Sequence, residues 1–547
     1  MLPVNQQTAS LITHDRIRLD ADIYRPQAEG EFPVLLMRQP YGRAIASTIV
    51  YAHPRWYAAH GYIVVIQDVR GRGTSQGKFD LFRHEIEDGL ETVNWAAQLP
   101  GSSGVVGMYG FSYQGMTQLY AAAAKPAALK VLCPSMIAYD LYADWAYEGG
   151  AFCLQANLGW AIQLAAETAR LQGDAASFGQ LYQAARNLPL SDATPASPQI
   201  LRDLAPDSFY HTWLREAPTS DYWRKLSPTY LMQDVDLPML HIGGWFDPYL
   251  RGTWHLYEAM IAQATSPQHL IVGAWAHLPW GRRVGVMDYG ADAASPVDKL
   301  QLRWFDQFLK GKDTGILQEK PVRLFEMGSN KWRSLSQIPR GNQQSYYLAT
   351  NGLASIRDDA GKLNQQKPDT CEDIIIHDPW RPHPALGGHP SAPSGSFDRS
   401  HLDCRSDVAT YTSPPLTTDL HLAGEIVVEI YATADAPSFD ICAILSVVKD
   451  NSKVYNFSQG YRQIEVAESP ITINLQPTCI CIPKGECLRL SISAACFPAY
   501  PVNPGTGNSP QLSQLIESQI ITITLSCGGD SSSSILLPVI EDSDYSY

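Results

Sequence analysis

The chain lacks a long apolar run, a basic cluster and a paired-cysteine motif. No stretch of about 18 apolar residues occurs, so no segment reads as a helical membrane span. There are 41 Lys and Arg against 55 Asp and Glu, a net charge of −14, and the cations are scattered. A surface of that sign repels polyanions, so neither nucleic acid nor an anionic membrane is an expected partner. Ten cysteines carry no Cys-x-x-Cys spacing. Reduced, mostly buried thiols are the expectation, although Cys479 and Cys481 share one strand face and a dithiol site there is an alternative. Met1 to Gln7 shows no basic region followed by an apolar core, which predicts no secretory leader and a cytoplasmic location. Disorder and fibrous repeats are also excluded, because 45% of residues are hydrophobic and only 18% charged.

What is present is enough chain for three to four domains: 547 residues, at about 150 per domain. In the first three hundred residues, short apolar runs alternate with helical patterns. The runs are Phe32 to Met37, Tyr62 to Ile66, Val105 to Tyr109, Leu237 to Ile242 and Leu270 to Val272. They read as strands buried on both faces. Helices are predicted over Ile45 to His60, Glu85 to Leu99, Gln114 to Ala124 and Asp298 to Lys310. This alternation defines an α/β sheet. Ile17 to Ile23 alternates apolar with polar, as an antiparallel edge strand does. Residues 138–226 are rich in Ala, Leu and Gln and interrupt the strand runs, which predicts a helical insertion. From 319 to 547 short β-branched runs alternate with Gly-, Pro- and Ser-rich turns, the pattern of a jelly-roll β-sandwich. The Pro- and Gly-rich stretch from Pro379 to Ser396 reads as a long ordered loop.

The chemistry concentrates at Val105-Val106-Gly107-Met108-Tyr109-Gly110-Phe111-Ser112-Tyr113-Gln114-Gly115. An apolar strand enters a Gly-x-Ser turn and leaves as a helix. Such an elbow lifts the Ser hydroxyl above the sheet, and the helix N-terminus directs amide donors at developing negative charge. The second Gly stands one position later than in Gly-x-Ser-x-Gly, and a tight strand–helix turn also fits the pattern. An acid and a base follow in chain order. Asp247 ends His241-Ile242-Gly243-Gly244-Trp245-Phe246-Asp247, and His277 ends Leu270-Ile271-Val272-Gly273-Ala274-Trp275-Ala276-His277. Each stands just past a predicted strand, where open α/β sheets build their sites. A strand-end Asp or His taken alone is more often a turn residue; the ordered set carries the signal.

Together these motifs resemble the cocaine-esterase and X-prolyl dipeptidyl aminopeptidase family of serine hydrolases, called CocE/NonD. Arg38-Gln39-Pro40-Tyr41 is similar to its Arg-x-Pro-Tyr. Asp68-Val69-Arg70-Gly71-Arg72-Gly73-Thr74-Ser75-Gln76-Gly77 resembles its glycine-rich loop, and Gly110-Phe111-Ser112-Tyr113-Gln114-Gly115 its Gly-x-Ser-Tyr-x-Gly. Gly243-Gly244-Trp245-Phe246-Asp247 and Arg303-Trp304-Phe305-Asp306 match two further motifs, the first with Phe for Tyr. The resemblance implies an α/β-hydrolase core (1–137 and 227–318), an inserted helical cap (138–226) and a C-terminal jelly roll (319–547). It implies a nucleophile at Ser112, a base at His277, an acid at Asp247, and an oxyanion hole made by the Tyr113 amide and the Tyr41 hydroxyl. Tyr41 could alternatively be a loop aromatic packed on the core.

The remaining signals are weaker. Gly71-x-Gly73-x-x-x-Gly77 misses dinucleotide-loop spacing by one, so no cofactor is expected, and Asp68 with Arg70 reads as a charge pair bracing the loop. His377, His383 and His389 recur every six residues, but such spacing does not gather a tetrahedral metal site by itself, and no metal is expected. Trp145, Glu148 and Phe152 open the cap and are candidates for the acyl pocket, with cap packing as the alternative. The expected activity is hydrolysis of small carboxylic esters or amides through an acyl-enzyme. An X-prolyl dipeptidyl aminopeptidase, binding a free amine at Glu148 or Asp144, is one alternative. A binding module on an inactive hydrolase core is another. Family members are often dimers or larger, so a homo-oligomer is possible.

Overall fold

The computed structural model describes residues 1–44, 48–465 and 468–541. Its first sheet has ten strands: β1 (Val4–Ile12), β2 (Arg18–Pro26), β3 (Phe32–Gln39), β4 (Ile63–Asp68), β5 (Ser102–Phe111), β6 (Leu129–Ser135), β7 (Met239–Phe246), β8 (Gln268–Ala276), β9 (Val322–Glu326) and β10 (Lys331–Leu335). Their spatial order is β1-β2-β4-β3-β5-β6-β7-β8-β9-β10. From β4 through β9 every neighbouring pair is parallel. Their apolar runs are buried because helices cover both faces. Helices α1 (Glu85–Ala97) and α2 (Tyr113–Ala123) bring Val93, Met116 and Leu119 to one face; α3 (Leu154–Gln172) lies in the insertion. Helix α4 (Leu250–Gln263) packs beside β7 and β8, and α5 (Val297–Lys310) brings Trp304 and Phe305 under the opposite face of the sheet. The helix predicted over 45–60 is confined to Pro54–Ala59, and positions 45–47 lie outside the described residues.

Two expectations are corrected here. Strand β2 is not the edge, because β1 pairs along its whole length. Its acidic side chains are buried yet satisfied: Thr8 Oγ donates to Asp22 and Ser10 Oγ to Asp20, both across that pairing. The jelly roll also does not begin at 319. Val322–Leu324 pair in parallel with Leu270–Val272 of β8, and β10 folds back antiparallel on β9. The parallel edge of β8 presents unpaired backbone groups, and the chain leaving α5 is the segment that covers them.

The insertion runs between β6 and β7 and holds α3, a second long helix at Ala175–Arg186 and several short ones. Beyond β10, thirteen strands from Asn342 to Ile540 build the second sheet, almost wholly antiparallel. The long hairpin Phe439–Val448 with Val454–Ile464 typifies its pairing. No helix among the described residues is long and apolar enough to cross a membrane.

Candidate active site

Ser112, Asp247 and His277 are each the first residue past a strand: β5, β7 and β8 respectively. Ser112 sits at φ 59° and ψ −127°, a left-handed conformation that costs a β-carbon residue of order 1–3 kcal/mol. Its N–H is held by the carbonyl of Ser135 at 3.0 Å. The unusual glycine spacing has a packing cause. A Cβ on Gly115 would stand 2.3 Å from Ile137 Cγ2 and 2.9 Å from the Ser135 carbonyl, so glycine is required where α2 crosses the end of β6. Tyr113 opens α2, and a first-turn amide has no partner within its own helix. The Tyr113 ring is anchored from behind, where its hydroxyl donates to Glu85 at 2.7 Å and Glu85 pairs with Arg38 at 2.5 Å.

His277 Nδ1 donates to Asp247 Oδ1 at 2.7 Å. That bond fixes the tautomer and leaves Nε2 as the ring's acceptor. Asp247 is fully buried; burial pushes its carboxyl up, and the His277 contact pulls it back only in part. The imidazole is flanked by Phe111 at 5.4 Å and Tyr249 at 5.1 Å between ring centres. Tyr41 lines the same cavity as Ser112. Burial pushes its phenol up to about 12, against the opposing influence of Trp160 and Arg72. Trp160 Nε1 donates to the Tyr41 oxygen at 3.0 Å. Because Trp160 uses a lone pair of that oxygen, the phenolic hydrogen stays available to donate to another acceptor.

Tyr41, Ser112 and His277 line one cavity of about 1010 Å³. Trp145, stacked on Tyr249 at 4.2 Å, lines it as well. Glu148 and Phe152 do not. Phe152 is buried against Tyr147 and Tyr210 inside the cap. Glu148 turns towards the second sheet, where it takes hydrogen bonds from His389 Nε2 at 2.8 Å and Tyr500 OH at 2.6 Å. Arg251 Nη1 lies 2.7 Å from Glu148 Oε1, close in charge but not aligned as a hydrogen bond. Burial opposes the Glu148 charge, but Arg251, His389 and Tyr500 outweigh it and hold the carboxyl well below its usual range. Asp144 is also spent within the cap, accepting from the amides of Tyr139 and Asp140.

Sequence reasoning missed several contributors. Residues 389–394, inside the Pro-rich loop, form one wall of the cavity. The loop is pinned by paired backbone bonds between Gly388 and Gly395, by His389 on Glu148, and by Ala392 N donating to Gln155 Oε1. Gln476 Nε2, from the second sheet, donates to the backbone carbonyl of Asp247 at 2.6 Å. Trp160 carried no signal beyond being an aromatic in a helical pattern. The bracing pair is also different from the one expected. Asp68 pairs with Arg43 at 2.6 Å, and Arg70 with Asp15 and Asp88. Asp68 lies under the turn, where a Cβ on Gly73 would stand 2.0 Å from its Oδ2, so this glycine loop accommodates a carboxylate of its own chain. His377 and His383 are buried, and only His389 reaches the cavity.

An open, mostly parallel sheet with helices on both faces, a strained Ser between strand and helix, and an Asp and a His at later strand ends define an α/β-hydrolase fold. Two family models match in tandem: X-Pro dipeptidyl-peptidase (S15 family) over residues 15–279, and X-Pro dipeptidyl-peptidase C-terminal non-catalytic domain over 314–535. The chain belongs to this family of serine hydrolases, which also holds the CocE/NonD esterases. It is 29% identical over 560 residues to a cocaine esterase from Rhodococcus sp. (strain MB1 Bresler), covering 96% of this chain and 97% of that one. In fold it is similar to an aminopeptidase from a marine sediment Thaumarchaeota archaeon, with TM-score 0.82, 20% identity and coverage of 99% and 97%. An α-amino acid ester hydrolase aligns with TM-score 0.78, 21% identity and coverage of 98% and 97%.

Proposed function

We propose that this serine hydrolase cleaves small carboxylic esters or amides lacking a free amine, with Ser112 as nucleophile, His277 as general base and Asp247 as the acid that orients it. Ser112 Oγ attacks the substrate carbonyl carbon while its proton passes to His277 Nε2. The Tyr113 amide and the Tyr41 hydroxyl receive the oxyanion, two donors of the kind worth about 3–4 kcal/mol each in the transition state. Collapse breaks the bond to the leaving group, which takes the proton from His277. Water then hydrolyses the acyl-enzyme by the same base. The imidazolium formed in each step lies against the buried Asp247 carboxylate.

The single observation that carries the substrate class is the cavity lining. Among the described residues it contains aromatic, aliphatic, amide, hydroxyl and imidazole groups and the cation Arg283, and no Asp or Glu. Glu148 and Asp144, the two carboxylates able to capture an α-amine, are both committed elsewhere. That favours an acyl esterase over an X-prolyl dipeptidase. An aryl ester with an uncharged acyl group should turn over at least about tenfold faster than its α-amino counterpart, the factor that 1.4 kcal/mol of lost ammonium pairing gives. The reverse preference would overturn the substrate reading. Labelling by an organophosphonate probe, lost in Ser112→Ala, tests the nucleophile separately and excludes an inactive core. A cytoplasmic location fits the ten cysteines, none of which forms a disulfide among the described residues.

A further inference from the structure

A second cluster of reactive side chains lies away from Ser112, at the seam between the two sheets. His421 and Cys481 face each other across the antiparallel pairing of Leu420–Gly424 with Thr478–Ile482. Directly opposed residues of such a pair point to one side with their β-carbons about 5 Å apart. Cys481 Sγ lies 3.8 Å from His421 Nε2. Asp419 stands two residues before His421, on the same side, and its carboxylate joins them: the three donor atoms lie within 4.8 Å of one another. Donor atoms around one tetrahedral zinc ion are about 3.3–3.7 Å apart, so these need shifts on the order of an ångström or less to share an ion.

The other imidazole nitrogen is already committed. His421 Nδ1 bonds to Glu326 Oε1 at 2.8 Å, and Glu326, at the end of β9, is buried and paired with Arg333 at 2.6 Å. The arrangement fixes the tautomer that turns a lone pair on Nε2 towards Cys481. A carboxylate behind a histidine in this way is the usual outer support of a zinc ligand. The turn after β9 is itself fastened to the cysteine strand. Met327 N donates to the Cys479 carbonyl, and Cys481 N donates to the Met327 carbonyl. The support and the donors therefore come from different sheets.

We propose that Cys481, His421 and Asp419 form a binding site for a zinc-like divalent cation, with Glu326 as the positioning residue. A thiolate, an imidazole and a carboxylate suit a borderline-soft ion, and three protein ligands leave a fourth position for water. Binding releases the Cys481 proton. Because Glu326 belongs to the α/β sheet and the three ligands to the second sheet, the ion ties the two together without touching Ser112.

The test is titration of the full chain, freed of metal by a chelator, with Co²⁺. One equivalent should bind and produce a sulfur-to-cobalt charge-transfer band that Zn²⁺ abolishes. Cys481→Ser should remove the band and weaken Co²⁺ binding by more than about 100-fold, beyond the 10–100-fold typical of losing an outer partner. Asp419→Asn, at an exposed position, should weaken it by about tenfold or more with the band retained, and Cys404→Ser, at an exposed thiol elsewhere, should change nothing. No band in the parent protein, a band surviving Cys481→Ser, or parental affinity in Asp419→Asn would each overturn the site. If Cys481→Ser does not fold, Asp419→Asn still decides.

Discussion

The cavity has two walls made by opposite means. One holds Ser112, Asp247 and His277, each fixed by the last residue of a hydrogen-bonded strand. The other is residues 389–394, an irregular loop from the second sheet, held by one buried carboxylate and a few backbone bonds. The first wall inherits its geometry from the sheet, because each of its three side chains follows directly on a paired strand. The second can change in sequence without disturbing that placement. On the function proposed above, reacting groups on strand ends with shape set by a borrowed loop would let one chemistry serve many acyl groups. The C-terminal part matches a family model described as non-catalytic, yet it supplies this wall and the Gln476 contact.

The contrast can be broken first at Glu148. Glu148→Gln leaves Arg251 buried without its counter-charge and should cost about 3–5 kcal/mol of stability. The expected reading is a lower melting temperature with KM rising more than kcat falls. An unchanged melting temperature would mean that the loop wall is anchored elsewhere. Tyr41→Phe probes the other wall. It should lower kcat by about 10²–10³ with little change in KM, the cost of one oxyanion donor. A rise in KM alone would assign Tyr41 to substrate binding.

The support behind the loop wall has its own pH signature. Tyr461 OH donates to Asp440 at 2.7 Å and its ring stacks on Tyr500, the partner of Glu148, at 4.0 Å. Burial pushes the Asp440 carboxyl up to about 7, despite hydrogen bonds from Asn503 and Tyr461. The folded protein thus keeps a proton that the unfolded chain has released, so stability falls as pH rises from about 4 to about 7. Asp440→Asn should flatten that decline, read as melting temperature at pH 5 against pH 8. The smallest effect is expected at Gln476→Ala. It removes one hydrogen bond to the Asp247 backbone, worth about 1 kcal/mol, and should lower kcat roughly fivefold. No change in kcat would free the strand-end wall from the second sheet altogether.

The strand-end wall was legible because buried parallel strands write themselves as apolar runs and their sites fall at the run ends. Val105 to Tyr109 and Leu270 to Val272 end shortly before Ser112 and His277, and the order Ser, Asp, His along the chain makes those positions candidates. The loop wall was not, since a Pro-rich segment has no period to reveal what it faces. Glu148 stood out as an acid at the cap entrance, but its partners lie 103, 241 and 352 residues along the chain, at Arg251, His389 and Tyr500. Sequence proximity suggests Arg70 as the partner of Asp68, whereas Arg43 reaches it from another loop. The span from 319 reads as jelly roll although β9 and β10 complete the first sheet, because a β-rich composition does not show which sheet a strand joins.

That last pairing bears on how the molecule can be divided. The gap between the two family matches, 279 to 314, invites a cut there, but β9 and β10 lie beyond it. A hydrolase half ending at 318 would leave β8 as a bare strand edge, a template for association with other chains. The physical joint falls after Leu335, and a protease nicking the folded protein upstream of it would leave the two pieces stitched by a shared sheet.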